Sequence, residues 1–268
     1  MEFANRQISN ARRSPNAVGI AATILILFIV WVIMFPIFAG SHPDGGHESC
    51  VSNLKQLGLG LMQYQQDYDE KLPLRQYVGT GGRIVSWRQE VMPYIKYRPA
   101  FRDPRDRAMR YSDIEHDGFP RSFGVNSLRS GGNGHAGPFA DAKGGSSTMD
   151  ELGSPATVIL VAESTAAFND FNLLAPAQFM SSTSPGSNAG HLFARSGDNY
   201  ANPSTGMLFG DGHAKMTNPF HTIGSELSTP NEWTIDNTPF SREDGATAQQ
   251  VIDFGVKHSV EDTQDPPR

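Results

Sequence analysis

Cysteine is nearly absent: Cys50 is the only one in 268 residues. A single thiol excludes an internal disulfide and any Cys-x-x-Cys redox or zinc pair. Also missing is Gly-x-Ser-x-Gly, the strained elbow that presents a hydrolase serine. His-Glu-x-x-His is absent too; His47-Glu48 comes nearest, but Val51 stands where the second histidine belongs. Basic clusters are lacking beyond the N-terminal stretch. The formal charge is −6, and the first 42 residues hold Arg6, Arg12 and Arg13 against Glu2, so the remainder carries −8. Phosphate binding needs clustered Lys and Arg, so this acidic balance excludes nucleic acid as a partner. The glycine-rich run Gly131 to Gly137, with Gly144-Gly145, ends in neither Gly-Lys-Ser/Thr nor a dinucleotide fingerprint, and reads as a loop.

What is present begins with an uncharged run from Ala17 to Ala39 that includes Leu25-Ile26-Leu27-Phe28-Ile29-Val30-Trp31-Val32-Ile33-Met34. About 20 such residues cross a bilayer as a helix, because lipid offers the backbone no hydrogen-bond partner but itself. The competing reading is a cleaved signal peptide. Its apolar core is normally shorter, about 7–15 residues, and Ile37 fits the small-residue cleavage pattern before Ala39 poorly. Positive charge precedes the run and none follows it closely. The expected orientation is therefore single-pass in the inner (cytoplasmic) membrane, with the N-terminus in the cytoplasm and the globular part outside.

Past the run, Cys50, Leu54, Leu57, Leu61, Tyr64 and Tyr68 recur at spacings of four and three. This places an apolar stripe on a helix, with Asn53, Lys55, Gln56, Gln63 and Gln66 off it. Cys50 on that stripe reads as a small buried apolar residue, a lipidated or intermolecular cysteine being the alternative. Pro73 closes the segment. Abundant glycine and proline, 27 and 18 residues in the whole chain, favour turns and short strands beyond Pro73.

Residues 83–87 read as a short strand and Trp87 to Tyr97 as a short helix with Trp87, Val91, Tyr94 and Ile95 inward. The charged segment Phe101 to His116 reads as a surface loop, and residues 121–125 as a strand. Thr157 to Glu163 is a continuous apolar run suited to a central strand. Gly206 to Gly210 and His213 to Met216 flank Asp211-Gly212, which predicts a hairpin closed by a two-residue turn. Phe168 to Phe179 is ambiguous, and Gln249 to Val256 suits either a short strand or a helix.

One constellation carries possible chemistry: His191, Asp211 and His213, with Glu163 at the end of the central strand. Imidazole and carboxylate together could hold a transition metal or act as acid and base. The plainer reading is that Asp211-Gly212 makes a tight turn and His191 ties a loop to it. Asp67 with Asp69, or Asp103 with Asp106, offers hard oxygen ligands, but neither spacing matches a defined calcium loop. The residues imply no cofactor and give no positive reason to expect an enzyme.

The segments Met34-Phe35-Pro36-Ile37-Phe38-Ala39, Ser49-Cys50-Val51-Ser52-Asn53-Leu54-Lys55-Gln56-Leu57-Gly58-Leu59 and Gln66 to Pro73 succeed one another in order. So do Met92-Pro93-Tyr94-Ile95-Lys96, Phe101 to Asp106, Ser122 to Asn126, Ser154 to Leu160, His191 and Leu208-Phe209-Gly210-Asp211-Gly212-His213. Together the set resembles bacterial type IV pilin-like and type II secretion pseudopilin-like proteins, in the group whose uncharacterised globular domain ends in a His…Asp-Gly motif. The motif residues that carry the resemblance are Cys50, Asn53, Leu54, Lys55, Gln56, Tyr68, Pro73, Asp211, Gly212 and His213. Three departures stand out. Around Asn16 to Ala21 there is neither the Phe-Thr nor the Glu of a prepilin processing site. The separation of His191 from Asp211 is longer than in the family, residues 195–204 reading as an inserted loop. Where the family often has a cysteine before proline, a possible disulfide partner for Cys50, this chain has Asp103.

The resulting expectation is an α+β chain, with an N-terminal transmembrane helix and an amphipathic helix packed on an antiparallel, pilin-like sheet. Residues 1–16 form a cytoplasmic tail, 17–39 the span, 40–47 a hinge, 48–217 the globular domain and 218–268 a partly irregular C-terminal extension. The resemblance implies a non-catalytic structural subunit of the cell envelope or of a secretion or pilus-type assembly, the sheet facing outward. Its expected partners are membrane lipid through 17–39 and copies of itself or other pilin-like subunits. Two other classes remain open: an anchored binding module that does not polymerise, and a metal-dependent hydrolase at His191, Asp211 and His213.

Overall fold

The computed structural model describes residues 17–38, 45–103, 118–120, 122–128, 136–140, 145–164, 203–224 and 230–261. His191, Asp106, the ambiguous stretch 168–179 and the proposed insertion through residue 202 lie outside them, as does the part of the expected hinge from 40 to 44. The chain divides into two compact units, Met1–Gly45 and Gly46–Arg268.

In the first unit, helix α1 runs Ala17–Phe38. Side-chain surroundings there are described for residues 19–29, all exposed, with Ile24 and Leu27 at 61% and 62%. Among the described residues no helix is long and apolar enough to cross a membrane. An eleven-residue helical stretch such as 19–29 covers only about 16 Å.

Helix α2 runs Gly45–Asp67 and begins inside the segment expected to be a hinge. Its stripe is buried from Cys50 through Leu54, Leu57 and Leu61 to Tyr64. Tyr68 departs from it. The residue stands past the helix end, half exposed, with its ring stacked on Tyr64 at 4.1 Å. The chain leaves the helix through Asp69 and Glu70, both in left-handed backbone (φ 51° and 61°), while the Glu70 N–H donates to the Gln65 carbonyl. That 6→1 closure satisfies a terminal carbonyl without a glycine.

Two short strands, β1 (Gln76–Val78) and β2 (Ile84–Ser86), form an antiparallel ribbon. Helix α3 (Trp87–Ile95) starts directly from β2, with the Gln89 side chain accepting from the Ser86 N–H in a capping box. Glycine brings α3 against α2. A Cβ on Gly60 would lie 2.4 Å from Ile95 Cγ1 and 2.9 Å from Val91 Cγ1.

The main sheet holds β3 (Phe123–Val125), β4 (Ile159–Glu163), β5 (Thr205–Phe209) and β6 (Ala214–Thr217), antiparallel throughout and in that order. The predicted central strand is central. Every residue of β4 and β5 is buried, the mark of a sheet covered on both faces. Along β5, Leu208 joins the α2 stripe in one core, whereas Met207 and Phe209 join a second. A register shift between Ile159 and Val161 sends both Leu160 and Val161 to the α2 side.

The second core corrects the expectation of an outward-facing sheet, and of the two alternatives for Gln249 to Val256 the structure shows the helix. Residues 242–261 form helix α4, which buries Ala248, Val251, Ile252 and Val256 against Ile159, Ala162, Met207 and Phe209. Ser241 caps it, its hydroxyl accepting from the Asp244 N–H at 3.1 Å and donating to the Asp244 carboxylate. The apolar spacing is interrupted by polar residues and preceded by three prolines, so the short window Gln249 to Val256 does not distinguish helix from strand.

Candidate functional site

The hairpin turn lies at one end of the sheet. Its register pairs Ile159 with Phe209 and Leu208 with Ala214. The Phe209 N–H donates to the His213 carbonyl, the Gly212 N–H donates to the Phe209 carbonyl, and Gly212 alone takes positive φ, 85°. The connection is therefore a three-residue loop closed by a left-handed glycine, not the two-residue turn expected. Asp211 holds the loop from within: its Oδ1 accepts from the His213 N–H at 3.0 Å and lies 2.5 Å from His213 Nδ1. The imidazole stacks on Phe209 at 4.4 Å, and Lys215 Nζ lies over the same ring at 4.5 Å. Partial burial pushes the Asp211 carboxyl up, but the His213 hydrogen bonds and charge outweigh it, and the net shift is downward. Behind the turn, burial raises Glu232 despite attraction from Lys215 and His213. Asp211 and His213 thus bond to each other across the turn, and His191, the third member of the expected set, lies outside the described residues.

Glu163 does not join them. It ends β4 at the opposite end of the ladder, paired with Phe123 and four residues beyond the Ile159–Phe209 pair. At ~3.3 Å per strand residue, this puts it more than about 12 Å from the turn. The sequence grouping fails because both groups terminate strands, and strand ends can face either edge of a sheet.

Glu163 instead converges with two residues that the sequence pattern keeps separate. The Cys50 sulfur and one carboxylate oxygen each of Asp103 and Glu163 lie within 4.8 Å of one another. All three residues are buried, at 0%, 1% and 0% exposure. Each comes from a different element. Cys50 is the first stripe residue of α2. Asp103 follows a 3-10 turn, Arg98–Phe101, which Phe101 anchors by packing on Trp87 and Phe119. Asn53, one turn beyond Cys50, donates from Nδ2 to the Arg102 carbonyl at 2.8 Å and ties that segment to α2. Phe101 and Asp103 are thus buried, so the expected surface loop does not begin at Phe101.

The β5 backbone forms the wall of the cluster. The Gly206 N–H donates to Glu163 Oε2, and a Cβ at Gly206 would lie 2.7 Å from Cys50 Sγ and 3.1 Å from Glu163 Oε2. Arg88 is also buried, donating from Nη2 to the carbonyl of Phe123, the cross-strand partner of Glu163. The available signals are a carboxylate closing an all-apolar strand and an aspartate in the place of a second cysteine. Neither reveals a distance across more than fifty residues of sequence.

Residues 47–218 match the family described as "Protein of unknown function (DUF1559)", which is more than half of the chain. The chain belongs to the DUF1559 family. The DUF1559 match contains Cys50, Asp103, Glu163 and the Asp211 turn, whereas α1 and α4 lie outside it. No curated protein and no solved structure matches the chain.

Proposed function

We propose that this DUF1559 chain is a membrane-anchored, pseudopilin-like structural subunit whose globular part lies outside the cytoplasmic membrane. The observation that carries the reading is the pairing of two unlike helices. The uncharged helix α1 exposes its described apolar side chains, from Ile20 to Ile29, and the amphipathic α2 spends its apolar side inside the globular unit. A surface like that of α1 suits lipid or another apolar helix, since burying each large side chain gains about 1.5–3 kcal/mol. The arginines before α1 and the acidic balance after it support export of the globular part.

A second reading, an anchored module that does not polymerise, is favoured by one observation: α1 has no acidic residue in its first turn. It therefore lacks the charge that would pair with a neighbour's amino terminus in a pseudopilin-like bundle. Membrane fractionation with protease protection tests the anchor, and the mature N-terminus together with crosslinking in membranes separates the two readings. Recovery in the soluble fraction would overturn both. An intact Met1 with no self-crosslinks would favour the non-polymerising module.

A further inference from the structure

We infer that Cys50, Asp103 and Glu163 form a binding site for one divalent transition-metal ion of zinc-like softness, which locks α2 to the sheet. The inference does not rest on the anchoring reading. Metal–sulfur bonds of about 2.3 Å and metal–oxygen bonds of about 2.0–2.2 Å place tetrahedral donors about 3.5 Å apart and no donors more than about 4.4 Å apart. The three donor atoms lie within 4.8 Å, so rotamer adjustments of an ångström or so close the site. One thiolate with two carboxylates selects a borderline ion. Calcium and magnesium take oxygen ligands only, and copper(I) prefers an all-sulfur set.

Charge points the same way. Deprotonated as ligands, a thiol and two carboxyl groups carry three negative charges, which a cation offsets in a region this buried. The buried Arg88 guanidinium lies at the same end of the sheet, bonded to Phe123. A divalent ion would offset two of those charges. Binding would displace to solvent the protons held by the thiol and carboxyl groups, so affinity would rise with pH. The backbone also fits: Gly206 has no Cβ to intrude on the sulfur, and its N–H holds the Glu163 carboxylate beside the other two donors.

Because the donors are buried, the ion has to be acquired during folding. The test uses full-length chain without a histidine tag, produced in cobalt-supplemented cells and purified in detergent. We expect one cobalt per chain by elemental analysis and a thiolate-to-cobalt charge-transfer band. Cys50→Ser should lose the band, and Asp103→Asn and Glu163→Gln should each bind at least tenfold more weakly while keeping the far-ultraviolet circular dichroism of the parent. Zinc present during refolding should raise the melting temperature of the parent and not of Cys50→Ser. Substoichiometric cobalt in the folded parent, bound cobalt without a thiolate band, or a band that survives Cys50→Ser would each overturn the inference.

Discussion

Replacing Gly206 with alanine tests how tightly α2 is seated on β5. The added Cβ would lie 2.7 Å from Cys50 Sγ, 2.9 Å from Leu54 Cδ1 and 3.1 Å from Glu163 Oε2, and all three neighbours are fully buried. None can retreat into solvent. Overpacking of this kind costs about 1–3 kcal/mol, and displacing Glu163 weakens the buried bond from the Gly206 N–H, worth about 1.5–3 kcal/mol for a charged acceptor. A total near 2–4 kcal/mol is expected. At about 2–4 °C per kcal/mol for a domain of this size, the melting temperature falls by roughly 5–15 °C. Cys50→Ala removes the nearest obstacle and costs about 1 kcal/mol by itself. The double variant should then be less destabilised than the sum of the singles by about 1 kcal/mol, a partial rescue because Leu54 and Glu163 remain. Thermal and urea unfolding of full-length protein in detergent and chelator, followed by fluorescence of the buried Trp87 and Trp233, provides the cycle. Additivity within about 0.3–0.5 kcal/mol would refute the contact.

Asp103→Cys should form a disulfide with Cys50 under oxidising conditions, read as loss of both free thiols; for a loop of roughly fifty residues the chain-entropy gain is at most about 4 kcal/mol. Glu90 accepts from the Tyr64 and Tyr77 hydroxyls, both at 2.9 Å, joining α3 to α2 and β1. Glu90→Gln should therefore cost about 1–3 kcal/mol in urea unfolding. The bond from Tyr94 to Asp67, with some burial, pushes that phenol up to about 12, while burial and Glu90 raise Tyr64 further. Folding thus favours the neutral phenols. Their contribution is full below pH ~10 and fades as pH rises through the folded values, so phenolate absorbance should lag behind that of urea-unfolded chain. Gly212 sits at φ 85° with Met62 Sδ 2.9 Å from a would-be Cβ, so Gly212→Ala should cost about 1–3 kcal/mol by thermal melt.

Local pattern was legible and distance was not. The stripe Cys50–Leu54–Leu57–Leu61, the central strand ending at Glu163 and the hairpin about Asp211 derive from periodicity and turn chemistry; the structure places the stripe and the strand as read, and the hairpin with a three-residue loop in place of the two-residue turn. Tyr68 breaks the stripe because the helix ends at Asp67. Helix α4 escapes the sequence pattern because its apolar positions are diluted by Gln249, Gln250 and Asp253 and matter only opposite the sheet. The cluster of Cys50, Asp103 and Glu163 is invisible for another reason. A helix, a loop and a strand converge there, and nothing in the local pattern of any one points to the others.

The second helical layer has a consequence for neighbours. With α4 seated on Met207 and Phe209, and α2 on Leu208, both broad sides of β4 and β5 are covered. Among the described residues, a companion subunit approaching the globular unit would meet the outer side of α2, where Leu59 and Met62 are exposed, or the rim strand β6, which carries the exposed Lys215. A lysine on a rim strand discourages strand-to-strand growth. Lateral contact would then be made helix to helix.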